Sequence, residues 1–212
     1  MRIATDLARL HKPTFRRLAL LQKLVEDVRQ PVAPDDDRLV MFVAIESLNV
    51  WSLFCRAYFL SCALGARTLG GTRVKFALAG LTTTTQALDF AVHTMKPQAG
   101  TGPWTWRDEP TWRKPRVLMQ LLAGAGASNL LQVRTAFSVP STVFAQLPRA
   151  RNFYAHRSKD TASDLQIVAR AVRVPSRRSA SDILCDIAPA RPQTVIQDWL
   201  DEMTYVVSEL CK

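Results

Sequence analysis

The residues best suited to chemistry in this chain lie together at Arg151-Asn152-Phe153-Tyr154-Ala155-His156-Arg157. An arginine stays charged at any working pH and presents a planar fork of donors to phosphate, while a histidine exchanges a proton near neutrality. Asn152 adds an amide beside the arginine. With one of the chain's three histidines placed here, the segment holds what phosphodiester cleavage without a metal requires: a cation for the phosphorane oxygens and a carrier for the protons. Arginine is frequent in this sequence, so the Arg-to-His spacing alone carries little weight. The adjacent asparagine and a position on a helix entered through proline make it more specific. The plainer alternative, a solvated histidine in an arginine-rich segment, stays open.

Helix geometry constrains the reading. At about 100° per residue Asn152 and His156 are neighbours on a helix, whereas Arg151 is turned about 140° away from His156. Arg151 has to reach around, the helix has to break, or a second chain has to complete the site. Arg149 lies almost in line with His156 and is a second candidate for the cation. Phe153 and Tyr154 read as core or dimer-interface aromatics, with base stacking as the other use.

The elements that must position these groups are expected to be helical throughout. Pro13, followed by Phe15, Leu18, Leu21, Leu24, Val25 and Val28, predicts a short amphipathic helix ending before Pro31. Pro34 and Asp35-Asp36-Asp37 predict the capped start of a much longer helix reaching about Ala66. A third helix is expected from about Thr72 to Met95, weakened by the threonine run 82–85. Residues 97–115 form a proline- and tryptophan-rich connection. A helix from Arg116 to about Phe137 carries Gly124 and Gly126, placed for close packing or a kink. Pro148 is expected to open the motif helix. Helices are expected again over Ala162–Val172 and from about Val195 to the C-terminus, around a second connection, 174–192, which leaves strand or turn undecided. One all-α domain over 1–212 is the expected organisation.

Composition narrows the partners. The 212 residues carry 28 Lys plus Arg against 18 Asp plus Glu, a formal charge of +10, which favours a polyanion such as RNA. An apolar fraction of 48% excludes general disorder. Cys55, Cys62, Cys185 and Cys211 form no CxxC pair and read as thiols with no disulfide or zinc framework, so no metal and no cofactor is expected. No leader is visible after Met1, and the apolar run 39–66 is interrupted by Glu46, Asn49 and Arg56. It is therefore expected to be a core helix of a cytoplasmic protein without membrane contact.

Two further groups carry chemistry. Glu46, Asn49 and Arg56 line one narrow stripe of the long helix; they either orient the Arg151–His156 region or form an internal salt bridge that fixes packing. Trp106, Arg107 and Arg113, with Trp104 and Trp112, interleave aromatics and cations as stacking on single-stranded RNA would require, or owe their tryptophans to packing. Arg170, Arg173, Arg177 and Arg178 form a basic cluster that guides phosphates or is simply solvated.

The Arg151, Asn152 and His156 motif, on an all-helical chain, resembles the HEPN superfamily, and most closely its stand-alone bacterial toxin and phage-defence members. The resemblance implies a HEPN-like helical bundle and a homodimer across the motif helices. It also implies a metal-independent endoribonuclease in which His156 moves protons, Arg151 stabilises phosphorane charge and Asn152 orients phosphate or imidazole. Many such toxins have a tyrosine two residues after the histidine; here Arg157 and Ser158 follow it, so an antitoxin acting on that hydroxyl is not expected, and any antitoxin or defence partner has to act otherwise. The alternative is a catalytically inactive HEPN module that binds RNA, nucleotide or a partner protein. A helical DNA-binding regulator draws on charge alone, since no helix-turn-helix recognition segment is evident.

Overall fold

The computed structural model describes residues 2–175 and 178–212. Among them the fold is all-α, as expected: nine helices, no strand, and four isolated β-bridges in the connections. The helices are α1 (Ala8–Leu24), α2 (Pro34–Ala63), α3 (Thr84–Met95), α4 (Pro115–Gly124), α5 (Leu130–Ala136), α6 (Val143–His156), α7 (Lys159–Val172), α8 (Ala180–Leu184) and α9 (Val195–Cys211).

Contacts group the chain into two compact units. One comprises the chain up to Phe15, Trp51–Val139 and Val206–Lys212; the other comprises Arg16–Val50 and Pro140–Tyr205. The core of the first is aromatic, with Trp51, Phe54, Tyr58 and Phe59 of α2 fully buried beside Leu118, Leu121 and Leu122 of α4. The second buries Val40, Val43 and Leu48 of α2, Leu147 and Ala150 of α6, Val168 of α7, and Trp199 and Met203 of α9. The helix α2 has the length and apolar character of a bilayer-crossing segment, and half of its most apolar window is buried inside the protein.

Where observed and expected boundaries differ, a distant segment accounts for it. Pro13 lies inside α1 and does not open it. The start is set by Asp6, whose Oδ1 accepts the Ala8 N–H at 2.8 Å, and by pairing of Leu7 N with Arg67 O at 2.8 Å. Pro148 likewise lies inside α6. That helix begins at Val143 because Glu202 of α9 accepts the N–H groups of Thr142 and Val143 at 3.0 and 3.1 Å and the Ser141 hydroxyl at 2.8 Å. Its charge also suits a helix N-terminus.

The expected third helix loses its first half. Residues 73–78 run as an irregular arm, with Phe76 bridged to Ala127, and α3 starts only after Thr83, whose hydroxyl and the Gln86 side chain form a capping box. The threonines that weaken a helix interior make a good cap. The same pairing splits the helix expected over 116–137 into α4 and α5: Gly126 adopts φ 62°, and a Cβ on it would lie 2.7 Å from Ala77 Cβ. The connection 97–115 contains no helix before Pro115 opens α4, and 174–192 contains the short α8 and Ile187, which is bridged to Thr194.

Candidate functional site

The helices α6 and α7 form a hairpin whose turn is made by the motif's own end. His156 is the last residue of α6, Arg157 takes the left-handed conformation (φ 44°, ψ 42°) with its N–H on Phe153 O, and Ser158 caps α7 in a capping box with Thr161. A non-glycine residue in this region costs roughly 1 kcal/mol, so its surroundings must hold it. They do. The Arg157 guanidinium lies 3.8 Å from Asp37 Oδ2 and 3.9 Å from Met41 Sδ, both on the first turns of α2.

Asp37 also anchors the interior of this turn. Its Oδ1 accepts the Ser181 hydroxyl at 2.5 Å, and Ser181 in turn accepts the buried Tyr154 hydroxyl at 2.7 Å. Burial, opposed by the Ser181 hydrogen bond, raises Tyr154 above its ordinary range, so the phenol stays a donor. Tyr154 is thus a core residue and cannot stack on a base. Sequence reasoning missed this role of Asp37 and Ser181. The acidic triplet reads only as a helix cap, and nothing near Ser181 marks it as the partner of a tyrosine 27 residues away.

The motif side chains themselves are left available. Arg151 and Asn152 are half-buried, His156 is exposed, and none has a side-chain hydrogen bond or ion pair among the described residues. The other histidines are occupied: His11 Nε2 bonds Ser208 Oγ at 3.1 Å, and His93 sits 3.7 Å from Asp89 and edge-on to Trp104. Because α6 stays helical from Arg151 through His156, the break after His156 does not bring those two side chains onto one face of a single chain.

The supporting residues named from sequence are engaged elsewhere. Arg149 Nη1 donates to Asp164 Oδ1 of α7 at 2.7 Å, tying the hairpin together. Glu46 pairs with Arg17 of α1 and accepts from Asn49 at 3.3 Å. It stands nine positions beyond Asp37, about 180° around α2 from the side that holds the motif's end, which explains why it does not orient His156. Arg56 makes a bidentate pair with Glu109, at 2.6 and 2.7 Å, and lies 5.4 Å over the Trp106 ring. The internal salt bridge is therefore what the polar stripe of α2 provides.

In the 97–115 connection, Trp104 donates to Asp89 at 3.0 Å, and Trp112 is buried and donates to Glu109 at 2.8 Å. These two tryptophans pack. Trp106 is 55% exposed with Arg56 over its ring, and Arg107 and Arg113 carry no side-chain partner among the described residues. In the basic cluster, Arg178 is tied to Gln30 and Asp186 at 2.7 and 2.8 Å, Arg170 bonds its own helix at Gln166 O, Arg173 is an exposed left-handed cap, and Arg177 lies outside the described residues.

All four cysteines are buried and free, and burial pushes Cys62 and Cys185 each up to about 12. Among the described residues no three His, Cys, Asp or Glu side chains converge as a metal site would require. Comparison with protein-family models, with curated proteins and with solved structures found no match to this chain.

Proposed function

We propose that the protein is an endoribonuclease of HEPN type, acting on RNA through Arg151, Asn152 and His156 without a metal. The observation that carries this reading is the presentation of the motif: His156 is the only histidine among the described residues with no partner, exposed at the end of α6 beside an unpaired Arg151 and Asn152. Side chains kept for packing are normally satisfied. An unpaired cation, amide and imidazole in one turn and a half are groups waiting for a ligand rich in acceptors.

In the proposed reaction the 2′-hydroxyl of RNA attacks the adjacent phosphorus while His156 moves the proton, leaving a cyclic phosphate and a 5′-hydroxyl. Arg151 meets the charge growing on the phosphorane oxygens, and Asn152, one turn from His156, orients phosphate or imidazole. Since Arg151 and His156 of one chain lie on different faces of α6, the arginine of each chain serves the histidine of a second copy across a two-fold axis. A toxin or phage-defence role in the cytoplasm, under a partner protein that does not act on a tyrosine hydroxyl, belongs to the same proposal.

The test is RNA cleavage by purified protein in chelator. His156→Ala and Arg151→Ala are expected to lower the rate by about 10²-fold or more, a fully deoxy substrate to resist, and mixed dimers of the two variants to regain one working site. Equal RNA survival with wild type and His156→Ala would leave a catalytically inactive module that binds RNA, nucleotide or a protein.

A further inference from the structure

A second site lies in the unit built on Trp51–Val139 and does not rest on the ribonuclease reading. Between the C-terminal end of α2, the arm 73–78 and the residues 79–82 that follow it is a cavity of about 510 Å³, within the roughly 300–1,000 Å³ usual for small-molecule sites. Its two charged linings are Arg73 and Lys75, and no carboxylate lines it among the described residues. Buried Val74 and the side chains of Phe76, Leu78 and Leu81 supply apolar walls.

The pocket is built and not an accident of a loose loop. Val74 N–H bonds Ala66 O at 2.9 Å, and Ala77 and Leu78 N–H bond Gly126 and Ala125 O at 3.1 and 3.2 Å. Lys75 exchanges hydrogen bonds with Ser128 at 2.8 and 3.0 Å. The arm is therefore pinned along both edges. Gly65, at φ 76°, follows α2, and the Arg73 guanidinium lies directly on it: a Cβ there would stand 2.6 Å from Nε and 2.9 Å from Nη2. Arg73 Nε donates to the carbonyl of Gly65, two residues beyond the end of α2, at 3.1 Å, which fixes the fork. The Nη groups and the Lys75 ammonium have no partner among the described residues.

A pre-oriented guanidinium beside a lysine suits a phosphate monoester, which carries nearly two negative charges at neutral pH. A bare phosphate leaves most of the cavity empty against Phe76 and the two leucines. We infer that this pocket binds a nucleotide, with the phosphate on Arg73 and Lys75 and the base against Phe76, Leu78 and Leu81.

The experiment is calorimetric titration with adenosine 5′-monophosphate, adenosine and inorganic phosphate. The monophosphate is expected to bind at least about tenfold more tightly than either fragment, and Arg73→Gln and Lys75→Gln to weaken it by about tenfold or more each. Lys75→Gln replaces an exposed side chain whose ammonium has no hydrogen bond or ion pair among the described residues, so its loss of binding is read on a protein expected to melt like wild type. His156→Ala is expected to bind as wild type does, which separates this site from the motif of α6. No saturation up to about 10 mM, unchanged binding in Lys75→Gln, or loss in His156→Ala would overturn the inference. A 5′-phosphorylated oligoribonucleotide in competition tells the source: displacement of the monophosphate assigns the site to an RNA end, and none assigns it to a free nucleotide.

Discussion

The Arg56–Glu109 pair allows a prediction whose asymmetry follows from burial. The Glu109 side chain is 4% exposed and that of Arg56 25%. Arg56→Ala leaves a nearly inaccessible carboxylate with only the Trp112 N–H as donor, a loss of about 3–5 kcal/mol by analogy with other broken buried pairs. Glu109→Ala leaves a guanidinium that can still reach water, together with one unsatisfied indole N–H, and is expected to cost roughly 2–3 kcal/mol. The arginine substitution should therefore be the worse of the two, although the arginine is the more exposed partner. In a chain of this size it lowers Tm by roughly 10 °C. Urea unfolding followed by tryptophan fluorescence gives both values, and the double variant closes the cycle with a coupling of about 1.5–3 kcal/mol. Limited proteolysis in the 97–115 connection should accelerate in parallel, because Glu109 is its anchor. A cost below about 1 kcal/mol for Arg56→Ala, the size of a surface bridge, or strict additivity in the double variant, would refute the argument that this pair fixes the connection.

Two further predictions concern the fold. Gly126→Ala meets both a left-handed backbone and Ala77 Cβ at 2.7 Å, so it should destabilise by about 2 kcal/mol or more, whereas Gly124→Ala, 3.4 Å from the Phe90 ring, should cost less; thermal melts compare them. Asp182 feels burial, which raises it, but hydrogen bonds from Val32 and Ser179 and the nearby Arg178 outweigh this and hold it below the ordinary carboxylate value. Its stabilisation is therefore present above the unfolded pKa and lost as pH falls through the lower folded one. Asp182→Asn should flatten the acid limb of a stability profile; an unchanged slope would show that those bonds do not favour the charged form.

Much of the fold is local and was legible. The acidic triplet and Pro34 open α2, the periodicity of α7 and α9 gives their faces, and buried Cys55 and Cys62 follow from their apolar neighbours. The motif too is a property of sequence: Arg151, Asn152 and His156 stand one turn and a half apart on any helix, and the 140° that separates the first from the last is fixed by the spacing.

Only the tertiary structure decided the partners. Val74, Ala125 and Ala127 are buried in the paired arms, and burial there looks locally the same as burial on a helix. The break became visible only when Phe76 met Ala127. The same holds for the polar groups. Glu46 and Arg56 needed counter-charges, and sequence states that need without naming Arg17 and Glu109. Asp37 could be read as a cap, yet its hydrogen bond to Ser181 and its ion pair with Arg157 depend on segments more than a hundred residues away. A buried charge must be paired, which is a rule of energy that composition reveals; with whom it pairs is a matter of which surfaces the fold brings together.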